Sequence, residues 1–227
     1  MVDQFGYLPT AQKVAVLRDA VTGYDAADSY TPGATLQVVD AATGAAVFTG
    51  AATAWNGGAT DTTSGDRTWW FDFSGLTTPG TYQVVDSSGN VRSSTFKIEA
   101  NVYRPVLIQA VRTFFYQRAG QAKSALNAGE GWADGASHLG PLQDANTRRY
   151  DAPNDASTER DLRGGWYDAG DLNKYTSWTA GYVVDLLHAY SQNKAIWTDD
   201  FNIPESGNGL PDLLDEVKWG LDWLVRM

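Results

Sequence analysis

Two aspartates stand three residues apart in the stretch GGWYDAGDLNKY, Gly164 to Tyr175, where glycines bend the chain just before a helical pattern begins. A turn of this kind does not need both acids. Two structural duties are open to them: Asp171 as the N-cap of the following helix, and Asp168 as an acceptor for backbone N–H groups of the glycine turn. A calcium loop is a third structural option, but the Asp-X-Asp-X-Asp-Gly spacing is absent. The same pair also has a chemical use. Carboxylates converging on a helix N-terminus feel the positive end of its dipole, which helps both stay ionised despite their mutual repulsion. Together they can hold one water and remove its proton. That is the base half of inverting glycoside hydrolysis, in which a protonated carboxylic acid on the other face of the sugar protonates the leaving oxygen. Trp166, Tyr167, Tyr175 and Trp178 flank the pair as candidates for a sugar-stacking groove. Tyr175 and Trp178 fall on the apolar face of the next helix, so core packing is the expectation for those two.

The elements that must position this turn change in rhythm along the chain. From Lys13 to about Ala100 there are short, mostly alternating runs, KVAVLRD, TLQVVDA, AAVFTG, RTWWFDFSGL, GTYQVVD and RSSTFKIEA, separated by turn residues such as Thr43-Gly44 and Pro79-Gly80. Strands at this spacing over about 100 residues predict a β-sandwich of immunoglobulin-like type. After Asn101 the period becomes helical. Val106, Leu107, Ala110, Val111, Phe114 and Phe115 share a face behind Pro105, which suits a first turn. A long aperiodic segment follows, Ala119 to Gly165, of the kind that is more often functional than idle. A second helix is expected from about Asp171, with Tyr175, Trp178, Thr179, Tyr182, Val183, Leu186, Leu187 and Tyr190 on one face. A third follows Pro211, with Leu213, Leu214, Val217, Leu221 and Leu224 inward. It runs to Met227 without a stop signal, so more of the helical domain is expected downstream.

Composition narrows the partners. Of the 227 residues 43% are hydrophobic and 12% aromatic, with nine tryptophans, which predicts a folded, core-bearing chain. The net charge of −10 is spread over both halves and would repel phosphate backbones and anionic membrane, so neither nucleic acid nor membrane is an expected partner. A neutral or cationic substrate fits better. The chain has no cysteine, which excludes disulfides and thiolate metal sites without deciding the compartment. No leader segment is evident in it.

GGWYDAGD resembles the signature of glycoside hydrolase family 9, whose members include inverting endoglucanases and cellodextrinases built on an (α/α)6 barrel. DQFGYLPTAQKVAVL, PGTYQV and STFKIE resemble strands of the immunoglobulin-like module that precedes the barrel in one branch of that family. VLIQAVRTFFYQRAG resembles the first barrel helix, and NIPESGNGLPDLLDEVKWGLDWLVRM the helix after the signature. The resemblance covers nearly the whole chain in order. It implies a multi-domain protein: an all-β immunoglobulin-like sandwich over residues 1–100, then the first part of an all-α (α/α)6 barrel over 101–227. It implies hydrolysis of β-1,4-glucosidic bonds in cellulose or related β-glucans, with Asp171 as the principal base and Asp168 as its partner on the nucleophilic water. Trp166 and Tyr167 are then candidate substrate-binding residues.

The family's general acid is a glutamate near the end of the catalytic domain. None of Glu99, Glu130, Glu159, Glu205 or Glu216 sits in a matching context, so hydrolysis by these 227 residues alone is expected to be negligible. Secretion is expected from the substrate class. No cofactor is needed for the chemistry, and calcium would be confined to stabilising barrel loops. The Cys and His pattern with which many relatives bind zinc before the signature is reduced here to His138, so zinc is not expected. The LNKY that follows the pair leaves room for an exo-acting cellodextrinase or a glucosaminidase. A reading of another class is a non-catalytic carbohydrate-binding or structural piece, the sandwich binding sugar through Trp55, Trp69 or Trp70. Adjacent Trp69 and Trp70 point to opposite faces of a strand, so at most one is in the core. A sandwich that merely braces the barrel is favoured over one that binds sugar.

Overall fold

The structure is a computed structural model that describes residues 1–227, and the chain divides into two units, Met1–Val106 and Leu107–Met227. The first contains eight strands: β1 (Val14–Ala20), β2 (Leu36–Asp40), β3 (Ala46–Gly50), β4 (Thr53–Ala54), β5 (Asp66–Asp72), β6 (Gly80–Asp86), β7 (Val91–Arg92) and β8 (Phe96–Ile98). They form a three-stranded sheet ordered β1-β5-β4 and a five-stranded sheet ordered β3-β2-β6-β7, with β8 also on β6. Every pairing is antiparallel. Side chains alternate along each strand, so one face of each sheet is apolar. Leu36, Val38, Phe71, Phe73, Tyr82, Val84, Phe96 and Ile98 fill the core, and Tyr7 meets Phe73 and Phe96 edge-on at 5.3 and 5.4 Å.

The β1–β5 register runs without slip from Val14 opposite Asp72 to Ala20 opposite Asp66. It puts Trp69 opposite Leu17 on the core side, where Trp69 packs, and leaves Trp70 51% exposed on the other side. One buried acid ties the loops at one end of the sandwich. Asp86 accepts from Tyr30 Oη at 2.8 Å, Gly33 N at 2.9 Å and Ser88 Oγ at 2.7 Å.

The second unit is helical: α1 (Arg104–Gln117), which begins just before the division, α2 (Ala125–Ala128), α3 (Thr176–Gln192) and α4 (Asp212–Leu224). Val111, Trp166, Val183, Leu186, Trp197, Phe201, Leu213 and Val217 form its main core. Two expectations are corrected. The helix after the aspartates starts at Thr176, not near Asp171, and its N-cap is Tyr175, which supplies no side-chain capping bond. Neither acid therefore sits in the first turn, where the dipole acts. In α4 the inward stripe is partly polar: Asp212, Asp215 and Glu216 are buried beside Leu213, Val217, Gly220 and Trp223, while Leu221 is exposed. The polar members can be inside because they have partners. Asp212 accepts from Phe201 N and Ser206 Oγ, Asp215 from Asn208 Nδ2, and Glu216 from Arg118 and Trp166.

Candidate active site

The segment that carries the aspartates is held from behind before it reaches them. Tyr167 N donates to Gln117 O at 2.8 Å and Ala119 N to Gly165 O at 2.9 Å, so residues 165–167 lie as a short antiparallel bridge along the end of α1. Two indoles of α4 add to this: Trp219 Nε1 donates to Gly165 O at 2.8 Å and Trp223 Nε1 to Leu162 O at 3.1 Å. Gly165 has φ +72°, and a Cβ there would lie 2.7 Å from the Trp223 ring, so both the backbone conformation and the close approach require glycine.

The turn itself is closed by Asp168 N donating to Asn173 O at 2.8 Å and by Leu172 N donating to Ala169 O at 3.2 Å. Leu172 adopts φ +57°, a left-handed conformation that costs a branched residue about 1–2 kcal/mol. A third tie comes from Lys174. Its Nζ donates to Asp144 Oδ2 at 2.6 Å, Leu162 O at 2.8 Å and Gly164 O at 3.0 Å, fastening the turn to the preceding loop.

Asp168 and Asp171 thus leave one closed turn, and each has its own donors. Asp171 is served locally: Asn173 Nδ2 donates to Oδ2 at 2.9 Å, Asn173 N to Oδ1 at 3.2 Å, and Tyr175 Oη to Oδ2 at 3.3 Å. The Asn173 side chain, then its backbone N–H, hold the Asp171 carboxyl below the usual carboxylate range, with Tyr175 adding to the effect. Asp168 is served from a distance by Tyr182 on α3, whose hydroxyl donates to Oδ1 at 2.9 Å. An open pocket of about 440 Å³ lies beside it, lined by Asp168, Ser177, Trp178, Gly181, Tyr182 and Asp185.

The aromatic expectations change places. Trp166 is 2% exposed and belongs to the core, edge-on to Phe114 at 5.1 Å and donating through Nε1 to Glu216 at 3.3 Å. Gly220 on α4 makes room for its ring, since a Cβ there would lie 2.3 Å from it. Tyr167 is also buried, and its hydroxyl bonds Ser137 Oγ at 2.9 Å and His138 Nδ1 at 2.8 Å. Neither ring has an open face for a sugar. Tyr175 and Trp178, expected in the core, are 37% and 49% exposed, with their ring centroids 4.4 Å apart. The later start of α3 explains part of this: Tyr175 precedes the helix and turns its hydroxyl to Asp171 instead of packing inward.

Sequence reasoning missed the charged core behind the site. Arg118 and Glu216 are both 0% exposed; Arg118 Nε lies 3.1 Å from Glu216 Oε2, and Nη1 lies 3.0 Å from Glu205 Oε1. Desolvation pushes the Glu216 carboxyl up to about 7 against the opposing pull of Arg118. A raised glutamate invites the role of general acid, but with no surface it cannot reach a substrate. Its visible signal was only an arginine ending the apolar run FFYQR and an acid beginning the next one, EVKWGL. His138 is spent on Tyr167 and Ser137, and no three His, Cys, Asp or Glu side chains gather as a metal cage.

The family model described as Glycosyl hydrolase family 9 matches residues 103–227, and that described as Cellulase N-terminal ig-like domain matches residues 1–90. A xyloglucan-specific endo-beta-1,4-glucanase of Bacteroides ovatus is 34% identical over 238 residues, covering all of this chain and 36% of that protein. A cellodextrinase of Butyrivibrio fibrisolvens is 30% identical over 231 residues, again covering all of this chain and 37% of the relative. Among solved structures, a metagenome-derived glycoside hydrolase family 9 endoglucanase superposes with a TM-score of 0.81 at 39% identity, over the whole of this chain and 40% of that one. The chain thus spans little more than a third of the length of these relatives. With an antiparallel immunoglobulin-like unit ahead of a helical unit that is part of an (α/α)6 barrel, the chain belongs to glycosyl hydrolase family 9.

Proposed function

We propose that the protein containing this chain is an endoglucanase that hydrolyses β-1,4-glucosidic bonds with inversion, and that these residues contribute its water-activating half. Asp171 is the base and Asp168 holds the same water in line with the anomeric carbon. The observation that carries the reading is the closed turn from Asp168 to Asn173, which presents both carboxylates on a backbone tied from three sides. Donors on Asp171 favour its ionised form, as a proton acceptor requires. Hydrolysis also needs an acid on the other side of the sugar. No glutamate of the chain is assigned that role: Glu216 is enclosed, Glu205 is paired with Arg118 and Glu159 with Arg148. In this reading the acid comes from sequence outside these 227 residues.

The substrate is a β-glucan or cello-oligosaccharide, the reaction needs no cofactor, and a polymeric substrate places the protein outside the cell. The names of the two relatives, xyloglucan-specific and cellodextrinase, span long and short substrates, so the chain length acted on is part of the test. Asp171→Asn in the full-length enzyme should lower the hydrolysis rate on cello-oligosaccharides by at least a thousandfold with an unchanged melting curve. Proton NMR of the first product should show the α-anomer. A variant that keeps its rate, or a β-anomer, defeats the assignment.

A further inference from the structure

The two aspartates are held by different means. Asp171 takes its donors from Asn173 and Tyr175, two and four residues away on the same turn. Asp168 takes its side-chain donor from Tyr182, fourteen residues away and almost two turns into α3. The Tyr182 ring is itself fixed: it is half-buried and meets Phe114 of α1 edge-on at 6.1 Å, and Phe114 in turn packs on Trp166. A phenol clamped in this way cannot follow a carboxylate that rotates. Its hydroxyl therefore selects one orientation of Asp168, engaging Oδ1 and leaving Oδ2 without a protein donor, available to a water. The bond also acts on its donor, since the neighbouring Asp168 carboxylate raises the Tyr182 hydroxyl above its ordinary range.

We propose that Tyr182 is a positioning residue for the reaction: it sets the orientation of Asp168, and through it the place of the attacking water, without itself touching substrate. The inference rests on the reading of Asp168 as the holder of that water. Loss of a bond that orients a reacting group, with the group itself left in place, lowers rate through misplacement and not through binding. Partners that orient metal-ligating side chains are typically worth about tenfold to a hundredfold, and a loss of that order is expected here, where the oriented group is a carboxylate that holds a water.

The test is Tyr182→Phe in the full-length enzyme, because phenylalanine keeps the ring against Phe114 and removes only the hydroxyl. With a fluorogenic aryl β-cellobioside, kcat should fall roughly tenfold to a hundredfold while KM stays within about twofold, and the melting temperature should move by no more than a few degrees. Asp168→Asn and the Asp168→Asn/Tyr182→Phe double variant complete the set. If Tyr182 acts through Asp168, the double variant is no slower than Asp168→Asn alone. A Tyr182→Phe enzyme with wild-type kcat, beside a slow Asp168→Asn enzyme, overturns the inference and leaves the proposed function standing. A raised KM with unchanged kcat overturns it in favour of direct sugar contact, and an equal further loss in the double variant overturns the route through Asp168. An Asp168→Asn enzyme as fast as wild type removes the reading of Asp168 and this inference together.

Discussion

Two acidic groups in the helical unit show how environment, not residue type, decides what a carboxylate can do. Asp171 is exposed and supplied with donors that favour its charge. Glu216 is enclosed, and desolvation pushes it up to about 7 although Arg118 opposes this. A carboxyl whose folded-state pKa is raised stabilises the fold fully below its unfolded value of 4.5 and loses that contribution as pH climbs through 7. Arg118 limits the loss. Arg118→Met removes the guanidinium and leaves Glu216 as an uncompensated buried acid, an effect of about 3–5 kcal/mol. Urea unfolding of the variant should show a deficit of that size at pH 8, narrowing at pH 5 where Glu216 is protonated. A variant equally stable at both pH values would mean that the pair carries no such strain.

At the scale of elements, loops in both units are held by single charged side chains that collect several bonds. Lys174 does this for the turn that carries Asp168 and Asp171, and Asp86 does it for the loops around Tyr30, Gly33 and Ser88 at one end of the sandwich. Burial raises the Asp86 carboxyl, but the Ser88 side chain, Gly33 N, Tyr30 and Gly89 N together outweigh it and hold the group at about 2. Its pKa is depressed on folding, so its contribution is present above the unfolded value of 3.8 and is lost as pH falls toward 2. The difference is worth about 2 kcal/mol. Wild-type stability followed by urea denaturation should therefore fall between pH 4 and pH 2 by about that amount more than in Asp86→Asn, which should begin lower at pH 6 and change less.

At the scale of the whole chain, the charge of −10 that these 227 residues place around the proposed site bears on which sugar suits that site. A neutral glucan feels no long-range field, so kcat/KM on cellotetraose should be nearly flat between low and high salt. A cationic glucosaminide would be drawn to an acidic protein at low salt, and its kcat/KM would fall as salt screens the attraction. Measuring both substrates across ionic strength separates the glucanase from the glucosaminidase. A glucosaminide rate that exceeds the glucan rate at low salt and collapses at high salt would overturn the glucan proposal.

The amino-acid sequence by itself determined the order of a sandwich and a helical unit, because alternation in β1, β2 and β6 and the helical period in α1 are local consequences of which side chains face a core. It also singled out the turn at Asp168 and Asp171, since glycine spacing and paired acids can be read without neighbours. It did not reveal which aromatics flank the turn as open surface. Trp166 and Trp178 are equivalent as letters, and only the enclosure of the first between Phe114 of α1 and Gly220 of α4 buries it while the second stays exposed. Nor could it announce the Arg118–Glu216 pair, 98 residues apart in sequence, or the bond from Tyr182 to Asp168. Apolar periodicity encodes burial along one element, whereas a polar group inside a core is tolerated only when another element brings its partner. Such partnerships exist only once the chain has folded.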